Sequence, residues 1–279
     1  MTNNRIPLAG VIGSPVSHSL SPRLHTYWLR RHAIAGYYIP MDIAQEDLPT
    51  ALKTLPMLGF VGINVTIPHK VAVLSLADTV TDRASLIGAA NTLTWQKDGR
   101  LFADNTDGQG FMDSLRAGAP DWTPDMGPAA VIGAGGAARA VLSALIAANV
   151  PSIRLTNRTR TRAEALRAEF GNRIEVFDWV QAGNALDGAA LIVNTTSLGM
   201  TGKPELRIPL DGLSPGSVVL DLVYSPLETR LLNEAREAGC IAVDGLGMLL
   251  HQGAPGFERW FGVRPTVDEE TRKVVLRQT

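Results

Sequence analysis

The residues of this chain that could do chemistry fall into a glycine-rich turn, two arginines, a lysine and a scatter of hydroxyl, amide and carboxylate side chains. Gly133-Ala134-Gly135-Gly136-Ala137-Ala138 fits the pattern G-x-G-x-x-G/A. In that pattern Gly133 permits a tight turn, Gly135 lets backbone approach a pyrophosphate, and Ala138 lets helix and strand pack closely. The short apolar run Ala129–Ile132 before it reads as a buried strand. A long apolar helix, about Ala137–Ala148, follows, and then a second strand, Ser152–Thr156. A glycine-rich turn without a ligand is the competing reading, but the strand–helix–strand setting favours a dinucleotide, its phosphates at the helix N-terminus. No acid stands at the end of the second strand to bond a ribose 2′-hydroxyl. The chain has Asn157-Arg158-Thr159 there, with Arg162 four residues beyond Arg158. On a helical first turn the two arginines would share a face and clamp a phosphate. A merely solvated basic helix start is the alternative, opposed by the helix dipole. The pattern therefore points to NADP.

Two further residues suit proton chemistry. Lys70 follows Pro68, which reads as a helix start, so Lys70 is expected in a first helical turn where the macrodipole opposes a cation. That setting suits a lysine exchanging protons, against the bland reading of a solvated surface lysine. Asp107 closes the run Asp104-Asn105-Thr106-Asp107 ahead of a helix to about Ala117. It could simply cap that helix, yet Asn91, Asp104 and Asn105 gather with it at strand ends. Ser17-His18-Ser19 follows the strand Leu8–Ile12, and a hydroxyl-rich loop at a strand's C-terminal end suits a ligand. Ser21 before Pro22 reads as an N-cap.

The elements that position these residues alternate along the whole chain. Strands are expected at Tyr37–Ile43 and Val61–Val65, a helix at Glu46–Leu55, and a hairpin around Asp98-Gly99. Residues 77–86 read as helical or irregular. Beyond Arg162 come a helix to Phe170, strands near Ile174–Phe177, Ala189–Thr195 and Val218–Leu222, a helix over about Leu227–Ala238, and Ile241–Val243. These are strand–helix units of a doubly wound sheet. A terminal helix near Asp268–Arg277 has no strand to follow and is expected to fold back on the first domain. With 279 residues, 45% hydrophobic and 19% charged, the chain can build two cores. A net charge of −1 gives no sign of a general nucleic-acid or membrane binder. Cys240 is the single cysteine, and the five histidines lack ligand spacing, so neither disulfides nor a metal are expected. The N-terminal MTNNRIPLAGVIG lacks the features of a signal peptide and no apolar stretch approaches a membrane span, which makes a soluble cytoplasmic protein the expectation.

Together, SHSLSP, NVTIPHK, GAANTL, DNTDG, GAGGAARA, NRTRTR, NTTSLGM and DGLGMLLHQGAPGFERW resemble the shikimate dehydrogenase family over nearly the whole chain. The resemblance implies an α/β substrate-binding domain, residues 1–107 plus 247–279, and a Rossmann NADP-binding domain, residues 108–246, with a deep cleft between them. It implies reversible hydride transfer between NADPH and 3-dehydroshikimate, giving shikimate for aromatic biosynthesis. It assigns Lys70 and Asp107 as the catalytic pair. Ser19 and Ser21 take the substrate carboxylate, Thr66, Lys70, Asn91, Asp107 and Gln252 surround the ring hydroxyls, and Tyr224 lies near the substrate. Gly133, Gly135, Gly136 and Ala137 form the pyrophosphate loop. Asn157, Arg158, Thr159 and Arg162 form the 2′-phosphate site, with Thr195, Leu222 and Gly245 also toward the cofactor.

The chemistry agrees with this assignment, because a reduced ketone leaves an alkoxide that needs a proton and a nearby cation. Two rival readings stay open. One is a quinate or dual quinate/shikimate dehydrogenase, against which the basic NRTRTR segment argues. The other is a non-catalytic sensor on the same scaffold, which would need neither Lys70 nor Asp107. The expected partners are a small-molecule substrate and no nucleic acid or membrane, with the chain a monomer or homodimer.

Overall fold

The computed structural model describes residues 6–277; the first five residues of the N-terminal stretch read above, and the last two of the chain, lie outside them. The chain divides into two compact units, residues 1–107 with 249–279, and residues 108–248.

The first unit opens with β1 (Leu8–Gly13), α1 (Ser21–Arg31), β2 (Tyr37–Asp42), α2 (Leu48–Thr54), β3 (Phe60–Val65), β4 (Thr79–Val80), α3 (Asp82–Ile87), β5 (Thr92–Trp95) and β6 (Leu101–Asp104). Its sheet runs β2-β1-β3-β5-β6-β4. The β2, β1 and β3 strands are parallel, whereas β5 is antiparallel to both β3 and β6. The sheet is therefore mixed, and the hairpin turns at Gly99, whose φ of 86° suits glycine. Ile12, Ile63, Val65, Leu93 and Ala103 are buried in one core under it.

Two expectations fail here. Ser21 is not an N-cap: it is the first helical residue, and Leu20 holds the cap position without a side-chain bond. Instead the Ser19 hydroxyl accepts from the Ser21 N–H at 3.3 Å. No helix starts at Pro68 either. Residues 67–71 form turns that lead into a short 3₁₀ helix, Ala72–Leu76. The segment is held by the Ile67 carbonyl, which accepts from the Ser14 N–H at 3.0 Å, and by His69 Nε2, which donates to the Ile43 carbonyl at 2.8 Å. Those bonds to neighbouring strand ends override the proline signal.

The second unit comprises α4 (Asp107–Gly118), β7 (Ala129–Ile132), α5 (Gly136–Ala147), β8 (Ile153–Thr156), α6 (Arg160–Phe170), β9 (Ile174–Phe177), α7 (Ala182–Leu186), β10 (Leu191–Asn194), β11 (Val218–Asp221), α8 (Arg230–Glu237) and β12 (Ile241–Val243). Every pairing in its sheet is parallel, in the order β12-β11-β10-β7-β8-β9. Counting from β7, this is the 3-2-1-4-5-6 order of a doubly wound dinucleotide-binding sheet. All four residues of β7, of β10 and of β11 are buried, as strands covered on both faces require.

The last helices are α9 (Leu246–Phe261) and α10 (Glu269–Leu276). From Leu249 onward they belong to the first unit. There Arg23 on α1 donates to the carbonyls of Val275 and Arg277 at 2.7 and 2.5 Å. Among the described residues no helix is long and apolar enough to cross a membrane, and no group of three or more His, Cys, Asp or Glu could hold a metal ion.

Candidate functional site

In the first unit a buried polar cluster forms where β3 and β6 end and β5 begins. Lys70 Nζ lies 2.5 Å from Asp107 Oδ2, with the lysine side chain 15% and the aspartate 4% exposed. The cation that the sequence places against a helix dipole is thus stabilised by an ion pair instead. The other oxygen, Asp107 Oδ1, accepts from Asn91 Nδ2 at 2.8 Å. Asn91 is oriented by its surroundings. The Thr106 N–H can only donate, and it meets Asn91 Oδ1 at 2.8 Å, joined there by the Thr92 hydroxyl at 3.0 Å. The Asn91 amide nitrogen must therefore face Asp107 and Gln252 Oε1, the latter at 3.0 Å. Thr106 completes the cluster, its hydroxyl donating to the Gln252 carbonyl at 2.9 Å.

Asp107 is not spent on capping α4. Asn105 Oδ1 accepts from the Asp107 N–H at 3.0 Å and so serves the helix start. Behind the cluster, Tyr38 donates to Asn64 Oδ1 at 2.7 Å, and Asn64 Nδ2 donates to the Asn91 carbonyl at 3.1 Å. Tyr38 in turn stacks on His25, with ring centroids 4.0 Å apart. His25 is fully buried without a hydrogen-bond partner, and burial lowers its pKa from 6.5 to about 3.

Hydrogen bonds thus bring Lys70, Asn91, Asp107 and Gln252 together. Ser19, Ser21 and Thr66 stand beside neighbouring strand ends: the serines follow β1, and Thr66 follows β3, its N–H bonded to the Ile12 carbonyl at 2.9 Å. Thr106 and Thr92 belong to the cluster although the sequence patterns do not point to them. Thr106 sits in plain view inside Asp104-Asn105-Thr106-Asp107, whereas nothing local distinguishes Thr92 from an ordinary strand threonine.

In the second unit the glycine-rich turn lies between β7 and α5, at the point where the strand order reverses. Gly133 has φ 112°, and a Cβ there would sit 2.6 Å from Thr195 Oγ1, so only glycine fits. Thr195, after β10, donates its hydroxyl to the Ile132 carbonyl at 2.8 Å, which places it beside this turn. Gly135 is exposed, and a Cβ on it would meet open space. The α5 helix starts at Gly136, followed by Ala137, without a side-chain cap, which leaves its first N–H groups directed toward that space. Ala138 is fully buried in the core under the sheet. Gly245 is needed for another reason, since a Cβ there would lie 2.4 Å from the Leu222 carbonyl. Leu222 and Tyr224 follow β11, and Tyr224 is half-buried.

The arginines after β8 are arranged differently from the expectation. Thr159 is the N-cap and α6 begins at Arg160, so Arg158 lies outside the helix and shares no helical face with Arg162. A bond from Asn157 Nδ2 to the Thr159 carbonyl at 2.8 Å shapes this turn. Arg160 pairs with Asp178 at 2.6 Å and with Glu164 at 2.9 Å. Arg158 and Arg162 are exposed and form no ion pair among the described residues. Two unneutralised guanidinium groups beside a dinucleotide-type loop, with no acid at the strand end, fit an additional phosphate.

One unit with a reversed-order parallel sheet and a phosphate-type turn, and another with a buried lysine–carboxylate pair among amides and hydroxyls, define a two-domain α/β protein of the dinucleotide-using kind. The family described as the shikimate dehydrogenase substrate binding domain matches residues 11–93, that of shikimate / quinate 5-dehydrogenase residues 125–200, and that of the shikimate 5′-dehydrogenase C-terminal domain residues 245–269. The chain is 68% identical over 272 residues to the NADP(+) shikimate dehydrogenase of Cereibacter sphaeroides, covering 98% of each. The solved shikimate 5-dehydrogenase of Thermus thermophilus, in complex with NADP(H) and shikimate, superposes with a TM-score of 0.85 at 39% identity, over 97% of this chain and 98% of that one. The quinate dehydrogenase of Corynebacterium glutamicum in complex with NAD superposes with a TM-score of 0.89 at 31% identity, over 97% and 99%. The chain belongs to the shikimate dehydrogenase family.

Proposed function

We propose that this chain catalyses the reversible NADPH-dependent reduction of 3-dehydroshikimate to shikimate, a step toward aromatic amino acids. The observation that carries the reading is the buried Lys70–Asp107 pair at 2.5 Å inside a ring of amide and hydroxyl side chains. A small anionic polyol recruits such groups, and a bare apolar pocket would not hold it. The unit of residues 1–107 and 249–279 binds the substrate, and the unit of residues 108–248 binds NADP.

Gly133, Gly135, Gly136 and Ala137 hold the pyrophosphate on the exposed start of α5, with Thr195 supporting the loop. Arg158 and Arg162 take the 2′-phosphate, and Asn157 and Thr159 shape the turn that presents them. Leu222 and Gly245 approach the nicotinamide end. NADPH, when bound, supplies the hydride. Lys70 stabilises the developing alkoxide and donates its proton to that oxygen. Asp107 holds the ammonium group through Oδ2 and keeps it directed. Asn91 and Gln252 bond ring hydroxyls, with Thr66, while Ser19 and Ser21 bind the carboxylate and Tyr224 contacts the substrate. The protein acts in the cytoplasm as a monomer or homodimer.

The test is turnover with shikimate and with quinate, each with NADP and NAD. Oxidation of shikimate with NADP at the highest kcat/KM is expected. Preference for quinate with NAD would move the chain to the sister activity, and no turnover with any of the four pairs would leave a binding protein.

A further inference from the structure

Asp104 stands three residues before Asp107, and its fully buried carboxylate is surrounded by donors. Oδ1 accepts from the Thr81 hydroxyl at 2.8 Å, Arg83 Nε at 2.6 Å and the Asn105 N–H at 2.8 Å. Oδ2 accepts from Arg83 and from Arg259. Burial alone would raise the Asp104 pKa. Hydrogen bonds from Arg83 and Thr81 and the charges of Arg259 and Arg83 outweigh it and hold the group well below the usual carboxylate range. The Arg83 and Arg259 side chains remain 46% and 31% exposed, so solvent reaches the cations but not the anion.

Arg259 lies on α9, seven residues after Gln252. Seven residues are two helical turns, so both side chains leave the same face about 10 Å apart along the axis. Gln252 bonds Asn91, and Arg259 bonds Asp104 and lies over the Phe102 ring at 5.3 Å. Asp104, and Asn91 that bonds Asp107, are thus tied to two points of one helix. Between those points α9 carries Gly253, Pro255 and Gly256, the residue types that favour helix least. That stretch cannot set its own geometry, and docking must impose it. An apolar contact would dock the helix with some freedom to slide. An ion pair from Arg259 to a carboxylate that Arg83 already grips through both oxygens fixes the register, which is the best-attested use of a costly buried ion pair.

We propose that Arg259 is a positioning residue: through Asp104 it sets the register of α9 against β6 that places the Gln252 side chain on Asn91 and beside Asp107. Arg83 holds the same carboxylate from α3 and keeps Asp104 charged and in place. The inference rests on the reading of this cluster as the shikimate site.

A double-mutant cycle on shikimate oxidation with NADP tests it. Arg259→Met is expected to raise the KM for shikimate about tenfold while the KM for NADP changes less than twofold. Gln252→Ala alone should raise the same KM. If Arg259 acts through Gln252, the double variant will be little worse than Gln252→Ala, and Arg259→Lys, which keeps the charge but loses the planar guanidinium over Phe102, will recover only part of the defect. Additive effects of the two substitutions would overturn the proposal, as would a lowered melting temperature with both KM values unchanged. Should Arg259→Met fail to fold, the same cycle with Arg259→Lys separates the same two outcomes. Unaltered enzyme that turns over NADP with quinate but not shikimate would remove the shikimate reading, and this inference with it; normal shikimate turnover with additive variants would remove the inference alone.

Discussion

Lys70 makes its ion pair with Asp107, so removing either charge strands the other in a buried place. Lys70→Met keeps the stem and removes the proton and the charge. Its kcat should fall about 10²–10⁴-fold, the range for a positioned acid–base group, with a much smaller change in KM. Asp107→Asn should also lower kcat, and the double variant should lose less than the product of the two, because the pair acts as a unit. Normal kcat with a raised KM in Lys70→Met would make the lysine a binding cation only. The arginines after β8 allow a sharper test than the motif alone. Arg158 has no carboxylate partner among the described residues, whereas Arg160 is held by Asp178 and Glu164. Arg158→Ala should therefore raise the KM for NADP roughly tenfold or more, as expected for a lost charge-assisted bond, and leave that for NAD nearly unchanged. Arg160→Ala should leave both KM values within about twofold, since an exposed pair contributes little. Equal effects of the two substitutions on NADP would count against a specific 2′-phosphate site.

The start of α1 shows how a local rule and a tertiary setting part company. Ser-Pro at a helix start reads as a cap, yet the side chain at Ser21 is buried and the Ser19 hydroxyl is the one that accepts from the helix. Ser19→Ala should then cost about 0.5–1 kcal/mol of stability, the low end for a cap, and raise the KM for shikimate. Ser21→Ala should raise the KM with little change in melting temperature. The reverse pattern in thermal melts would restore Ser21 as the cap. The turn at residues 67–71 follows the same logic. Proline there suggests a helix, but bonds to Ser14 and Ile43 across neighbouring strands decide the backbone. The β7–α5 junction, in contrast, follows its local signals closely, because a glycine at positive φ and a small residue at the packing point have few other uses.

Acid should unfold this protein partly through His25. The folded state holds the imidazole neutral, with a pKa of about 3 against 6.5 in an unfolded chain. A depressed value means that the unfolded state binds the proton first as the pH falls. Stability from this group is therefore complete above pH 6.5 and lost as the pH drops from there toward 3, at up to about 1.4 kcal/mol per pH unit. Asp104 adds loss at lower pH still, because its pKa too lies below its unfolded value of 3.8. His25→Phe keeps a ring for Tyr38 to stack on and removes two buried nitrogens that lack partners. Chemical denaturation of this variant should show unchanged or higher stability at pH 7 and a flatter profile between pH 6.5 and 3. An acid limb as steep as that of the unaltered protein would assign the loss to other groups.

The sequence by itself determined the two-part α/β architecture, the doubly wound sheet around GAGGAARA and the set of polar residues that gathers at strand ends. Those features are written in local periodicity and in glycines that only a few backbone conformations require. Tertiary structure alone decided what each polar residue does. Asp107 reads equally well as a cap or an ion-pair partner until the fold brings Lys70 to 2.5 Å and Asn105 Oδ1 accepts from the N–H at the start of the helix. Arg158 and Arg160 look alike in NRTRTR until Asp178 arrives from beyond β9 to neutralise one of them. Arg259 carries no signal in its own neighbourhood, because its partner Asp104 is 155 residues away along the chain. Hydrogen bonds and ion pairs act over a few ångströms of space, and sequence distance does not encode that separation.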